Sequence, residues 1–433
     1  MSRRLRIRGG LVVTPTGVRP ADVVVEGERI ARLGRRGKAD GDSLDATGCY
    51  VLPGGIDSHT HMLSGMAAAS RSAAFGGTTT ALCFTNPRPD ESVVEAVQRG
   101  RAEVKRDAVI DVDLHAVLYQ PDRVTVADFE RLKALKVRAV KVFLAYPEQS
   151  LMASDGTLYN VLRQSVRLGF LTRVHCENGS VVESLTQNYL AQGRRSARYF
   201  AEARPPEVDE EAIARTLTLA RLAGAPVFIT HISTAGGIEL VKAARARGQT
   251  VYTEVCLHHL LLDSGLYRGK RAEKFLVVPP LRSTEHVEAL WAAIADGTVD
   301  TIGSDHAQVR YQPEPSGTGD FTSLPYGLAG IELRLPLFLS EGLRRKIPIW
   351  RLSELLSTHA AQIFGFPKKG AIVPGNEANL VIWDPRPAWT VKSSALHDGL
   401  GETPYQGRHA NGAIRSVILL GRSLVKDGQL GPG

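Results

Sequence analysis

Apolar residues fall into two textures along the chain. Near both ends they form short runs broken by Gly and Pro. These are Leu5-Arg6-Ile7-Arg8, Leu11-Val12-Val13, Asp22–Val25 and Arg29–Leu33 at one end, and Asn379–Trp383 and Ile414–Leu420 at the other. Such runs predict strands. The long middle instead alternates apolar runs with amphipathic stretches. Candidate strands lie at Tyr50–Leu52, Thr79–Phe84, Val112–Leu118, Ala139–Leu144, Phe170–His175, Val227–His231, Thr250–Val255 and Thr301–Gly303, with helices between them such as Glu91–Lys105, Asp209–Ala223 and Thr284–Ala295. Strands and helices alternating in this way predict a parallel (β/α)8 TIM barrel, an α/β fold, rather than an open doubly wound sheet. No GxGxxG follows the first strand, so a dinucleotide site lacks its central motif. The two β-rich ends predict one small β-sandwich domain built from both termini, residues 1–52 and 371–433, around a barrel of residues 53–370.

In a parallel barrel the chemistry sits at the C-terminal ends of the strands. Those ends carry His59 and His61, Lys141, His175, His231 and Asp305. Residues one apart at a strand's end share a face, so His59 and His61 can address one metal ion. A lone His-X-His is more often a surface turn, and a single buried histidine is more often packing. Several ligand-type residues on one rim predict a metal centre. Lys141 is the odd member, since an ammonium cannot ligate. Its setting, Ala139-Val140-Lys141-Val142-Phe143-Leu144, is apolar. A deprotonated lysine amine can add carbon dioxide to give a carbamate, a carboxylate on a long arm able to bridge two ions. His115, His258, His259 and His306 are read as supporting or packing residues.

Composition narrows the field. With 433 residues, 43% hydrophobic and 23% charged, the chain has the makings of a large globular core. No apolar run approaches the roughly 18 residues of a membrane helix, and Met1–Arg8 is basic without an apolar stretch behind it, which predicts no secretory signal. The four cysteines, Cys49, Cys83, Cys176 and Cys256, form no CxxC pair, so a reducing cytoplasm is expected. The net charge of +8 is spread over helix-like stretches with acidic neighbours, without a basic platform interleaved with aromatic residues, so no nucleic-acid partner is expected.

Gly54-Gly55-Ile56-Asp57-Ser58-His59-Thr60-His61-Met62, Phe75-Gly76-Gly77-Thr78-Thr79, Lys141-Val142-Phe143-Leu144-Ala145-Tyr146 and Val174-His175-Cys176-Glu177-Asn178-Gly179 form one connected set of motifs. Arg204-Pro205-Pro206-Glu207, Pro279-Pro280-Leu281-Arg282, Gly303-Ser304-Asp305-His306 and Phe364-Gly365 extend it over nearly the whole chain. In these the sequence resembles the cyclic amidohydrolases, in their hydantoinase/dihydropyrimidinase branch. The resemblance implies a hydrolase that opens the ring amide of a hydantoin, dihydropyrimidine or related cyclic ureide or imide, giving an N-carbamoyl amino acid-type product. It implies two divalent ions, zinc first among the candidates. His59, His61 and Asp305 would hold one and His175 and His231 the other, with Lys141 bridging as N6-carboxylysine. Asp305 would carry the proton and Tyr146 would bind the scissile carbonyl oxygen. It also implies a homo-oligomer, tetramer or dimer.

Departures from the branch pattern concern the substrate. Val278 stands where hydantoinases have Ser, and Tyr326 where they have Asn; both positions meet the ring mainly through backbone groups. Phe84-Thr85-Asn86-Pro87 is similar to the Pro-Asn segment of dihydroorotases and allantoinases, which adds Asn86 to the substrate candidates alongside Tyr146, Val278 and Tyr326. Leu63 occupies the place of the dihydroorotase arginine, and Arg88 or Arg310 would have to replace it. A dihydroorotase- or allantoinase-like enzyme is one alternative. A non-catalytic relative of dihydropyrimidinase is another, though such relatives lose part of the ligand set. The short segment Met62–Ser72 has no aromatic or acidic residue and predicts an open, adaptable surface beside the ring. Pro313–Gly319, with Tyr311 and Phe321 near it, predicts a rim loop.

Overall fold

A computed structural model describes residues 4–34, 42–63, 65–309 and 320–431. Arg310, Tyr311 and the Pro313–Gly319 loop lie outside the described residues. The chain divides into two compact units, one of residues 1–82, 104–113 and 330–433, the other of residues 83–103 and 114–329.

The first unit carries a nine-stranded, mostly antiparallel sheet drawn from both termini. Its order is Gln429–Leu430, Arg422–Lys426, His409–Leu419, Leu380–Thr390, Tyr50–Pro53, Arg4–Thr14, Gly17–Glu26 and Arg29–Gly34, with Asp42–Asp45 pairing beside Arg4–Thr14. Alternation sets Leu5, Ile7, Val12, Val23, Val25, Ile30, Val51, Leu380, Ile382 and Ile418 into one apolar core. Val24, Leu52, Val381 and Val417, on the opposite parity, are buried as well. The register slips between Ile7 and Gly10 at a bulge, and Gly9 there takes φ +74, a conformation that favours glycine. Tyr50–Leu52 is therefore a strand of this terminal sheet and not the first strand of the barrel. It pairs with Leu11 and Val12 on one side and with Val381–Trp383 on the other.

Eight strands make the barrel: β1 (Gly55–His61), β2 (Thr78–Phe84), β3 (Asp111–Val117), β4 (Ala139–Phe143), β5 (Leu171–His175), β6 (Val227–Ile229), β7 (Val251–Cys256) and β8 (Thr301–Gly303). These eight follow one another in chain order along a nine-stranded sheet, whose ninth strand is the two-residue His306–Ala307. Each neighbouring pair from β3 to β8 is parallel and in register, as in Lys141 opposite Arg173 and Val174 opposite Ile229. Helices return the chain between strands. In the helix Asp155–Leu168, Ser154 caps the start by accepting from the Thr157 N–H (3.2 Å), and Gly169 at φ +73 ends it. Leu158, Val161, Leu162 and Ser165 form its buried stripe. This is the (β/α)8 fold with a separate terminal sheet domain. The segment after β1 differs from the expected open surface: Met66–Phe75 is a helix, and Met62, Met66, Ala69, Ser70 and Ser72 are buried. Its small residues serve close packing, with Ser72 Oγ donating to Glu332 (2.7 Å).

Candidate metal centre

In the first unit, β1 is fixed from both sides before its histidines begin. Gly54 N–H donates to the Asn379 carbonyl (2.7 Å), and Ser357 Oγ donates to the Gly54 carbonyl (2.6 Å). A Cβ on Gly54 would collide with the Thr79 side chain, so glycine is the residue that fits. The pleat then sends Asp57, His59 and His61 to one face. Asp57 is fully buried, pairs with Arg334 (3.2 Å) and accepts from the His59 N–H (3.1 Å). His59 is buried, and the two imidazole centres stand 5.5 Å apart.

In the second unit, Lys141 projects from β4 with 1% exposure. Its Nζ donates to Thr230 Oγ1 (2.9 Å) and lies 4.8 Å from the centre of the Phe84 ring and 5.2 Å from that of Phe143. Burial first, and then the charge of Arg173, push its amine down to about 7. His175, at the end of β5, faces His231 with Nδ1 3.0 Å from Nε2. Its other nitrogen, Nε2, is 2.8 Å from Glu177 Oε2. Burial lowers the His175 pKa against the pull of Glu177, which favours the neutral ring. With Glu177 accepting from Nε2–H, the lone pair of Nδ1 points at His231. A carboxylate behind a ligating histidine is the usual support of a metal-bound imidazole. Two neutral imidazoles so placed could hold a divalent ion.

Tyr146, His231 and Asp305 have φ +65, +36 and +48. Left-handed backbone is uncommon for such residues and clusters at functional sites. The Tyr146 ring lies 5.1 Å from that of His175, and burial pushes its phenol well above the usual range, so it stays a hydrogen-bond donor. Asp305 follows β8, and its charge is felt at both Lys141 and His175. Tyr326 stacks on Tyr146 with ring centres 6.2 Å apart and planes 8° apart, and its hydroxyl accepts from Gln149 Nε2 (2.7 Å). Lys141, His175, His231, Tyr146 and Tyr326 thus come together within one unit. Val278 and Asn86 stand differently. Val278 is buried at a cis peptide to Pro279. Asn86 is exposed, and its carbonyl accepts from Arg99 (2.6 Å).

Sequence reasoning assigned no role to several residues that the structure brings forward. Glu177 is one; its place two residues after His175 was the available signal. Arg173 and Glu254 are others: they form a fully buried ion pair (3.1 Å), and Arg173 Nη1 also meets His115 Nδ1 (3.0 Å). Cys256, His258 and Asp305 offer ligand atoms within 4.8 Å of one another. Arg194 Cζ lies over the rings of Tyr189 and Tyr199, 5.5 and 5.8 Å from their centres.

A (β/α)8 barrel with imidazoles and a carboxylate at its strand ends and a lysine buried within a strand belongs to the class of metal-dependent barrel hydrolases. The chain belongs to the amidohydrolase family, whose profile matches residues 50–424, and within it to the hydantoinase branch. It is 35% identical to the D-hydantoinase of Geobacillus stearothermophilus, over 98% of this chain and 93% of that protein. It superposes on the crystal structure of dihydropyrimidinase from Brevibacillus agri with a TM-score of 0.93, at 34% identity, covering 99% of this chain and 96% of that one. The D-hydantoinase structure from Bacillus sp. AR9 gives a TM-score of 0.92 at 36% identity, covering 99% and 96%. Among the described residues no helix is long and apolar enough to cross a membrane.

Proposed function

We propose that this chain hydrolyses the ring amide of a hydantoin, dihydropyrimidine or related cyclic ureide or imide to an N-carbamoyl amino acid-type product. The observation that carries the reading is the pair of facing nitrogens, His175 Nδ1 and His231 Nε2, backed by Glu177 and set beside buried Lys141. His59, His61 and Asp305 would hold one divalent ion and His175 and His231 the second, and Lys141, as N6-carboxylysine, would serve both; zinc suits the imidazole-rich set. When bound, the ions supply an activated water and polarise the ring carbonyl.

The chain's own groups do the rest. Asp305 takes a proton from the attacking water and returns it to the leaving ring nitrogen. Tyr146, kept protonated by its burial, donates to the carbonyl oxygen as negative charge develops there. Tyr326, Val278 and Asn86 border the substrate. The barrel spans residues 53–370 between the two parts of the terminal domain, and the protein works as a cytoplasmic homo-oligomer, a setting that suits four buried cysteines held outside disulfides. A panel of hydantoin, 5-substituted hydantoins, dihydrouracil, dihydroorotate, allantoin and glutarimide tests the reading. Opening of hydantoins or dihydrouracil supports it. Turnover confined to dihydroorotate or allantoin would move the protein to another branch, and no turnover by the zinc-loaded protein would refute it.

A further inference from the structure

Lys141 and Arg173 stand directly opposite each other in the parallel β4–β5 pair. Their contacts put both on the same face. The Lys141 Nζ and the Arg173 Cζ address one ring, Phe84, at 4.8 and 4.7 Å. Arg173 has no exposure and no freedom to turn away. Its guanidinium also lies 4.5 Å from the centre of Phe228, Nη2 donates to Glu254 (3.1 Å), and Nη1 meets His115 Nδ1 (3.0 Å). Like charges opposed across strands repel, and a water-poor interior strengthens the repulsion. The same geometry turns attractive once the lysine arm carries a negative charge.

We propose that Arg173 is a positioning residue that favours the carboxylated form of Lys141, with Glu254 tempering its charge. This rests on the carboxylysine of the proposed function. In the step, the lone pair of the neutral Lys141 amine attacks carbon dioxide. The N–C bond forms, one C=O π pair moves onto oxygen, and a nitrogen proton leaves to water. The arm passes from neutral to one negative charge beside a fixed guanidinium. Arg173 needs no contact with substrate or metal to act, since its effect is on which form of the arm the interior accepts.

The test strips the full-length protein of metal in carbon dioxide-free buffer, then reloads it with zinc over a bicarbonate series. Zinc uptake is measured by metal analysis, and the carbamate by carbon-13 NMR with labelled bicarbonate. For wild type, uptake should depend on bicarbonate and a carbamate resonance should appear; if neither occurs, the carboxylysine reading itself fails. Arg173→Met should raise the half-saturating bicarbonate about tenfold or more, and Arg173→Lys should restore part of it. Glu254→Gln, which leaves the guanidinium less neutralised, should shift it the opposite way. A folded Arg173→Met protein with wild-type bicarbonate dependence would overturn the inference. Should that variant not fold, a rise rather than a fall for Glu254→Gln would overturn it.

Discussion

In the terminal sheet, Ile7, Val23, Val51, Ile382 and Ile418 are buried together in one apolar cluster. In the barrel, strands β3 to β7 bury His115, Lys141, Arg173 and Glu254 just as deeply. Both regions obey the same period-two alternation, yet the terminal core is lined by methyl groups while the barrel strands set charged groups among their buried apolar residues. Burial of apolar area accounts for the first. It does not account for the second, because a buried ion pair costs desolvation and is weak support for stability. Arg173, beside the rings of Phe84 and Phe228 and paired with Glu254, makes sense as an electrostatic setting for Lys141 opposite it. The terminal sheet is built to hold, and the barrel interior to hold particular groups in particular charge states.

Substitution at Lys141 should break the comparison most sharply. Lys141→Ala removes a charge that the interior tolerates only for chemistry, so the protein should remain folded while losing nearly all turnover and most bridged metal. Short-chain carboxylic acids should restore part of the activity by occupying the vacated volume. Metal analysis and ring-opening rates check this, and a variant with wild-type metal content and rate would show that the lysine is structural.

Asp305→Asn comes next. The amide can still approach a cation but accepts no proton near neutral pH. A loss of about 10²–10⁴-fold in kcat is expected, with metal content largely retained. Activity within a few-fold of wild type would place the base elsewhere.

Much of this contrast was legible in the sequence, because His59, His61, His175, His231 and Asp305 lie at or beside strand ends, and Lys141 within a strand, that apolar periodicity locates. What stayed hidden depends on neighbours distant in the chain. Tyr50–Leu52 is a short apolar run that suits either sheet, and only its pairing with Leu11 and Val381 assigns it. Arg173 reads as an interruption of the run Phe170–His175, since nothing local says that Glu254 waits two strands away. Met62–Ser72 was misread because alanine and methionine suit a buried helix face as well as an open wall, and contacts with Glu332 and Val109 decide the matter.

Ile382→Ala sharpens the other side of the comparison. The side chain is almost fully enclosed in the terminal core, and truncation should cost about 2–5 kcal/mol through lost burial and the cavity left behind. Thermal or denaturant unfolding should report it, while kcat per folded molecule stays unchanged. A matching fall in kcat would mean that the terminal sheet does more than hold.

The smallest effect is expected at Tyr326, where the two kinds of contribution meet in one side chain. Its hydroxyl accepts from Gln149 Nε2 at 2.7 Å in an exposed setting, and its ring lies parallel to Tyr146. A neutral hydrogen bond contributes about 0.5–1.5 kcal/mol, at the lower end where water can replace it. Tyr326→Phe should therefore change kcat/KM by less than about fivefold, mainly through KM. Tyr326→Ala removes the ring as well, and aromatic pairs contribute about 0.5–1.5 kcal/mol beyond their buried area. If the stack is what aims the Tyr146 hydroxyl at the scissile carbonyl, the Ala variant should lose kcat and the Phe variant should not. Equal losses of kcat in both would instead assign the work to the hydroxyl, and the aromatic wall would then only bound the pocket.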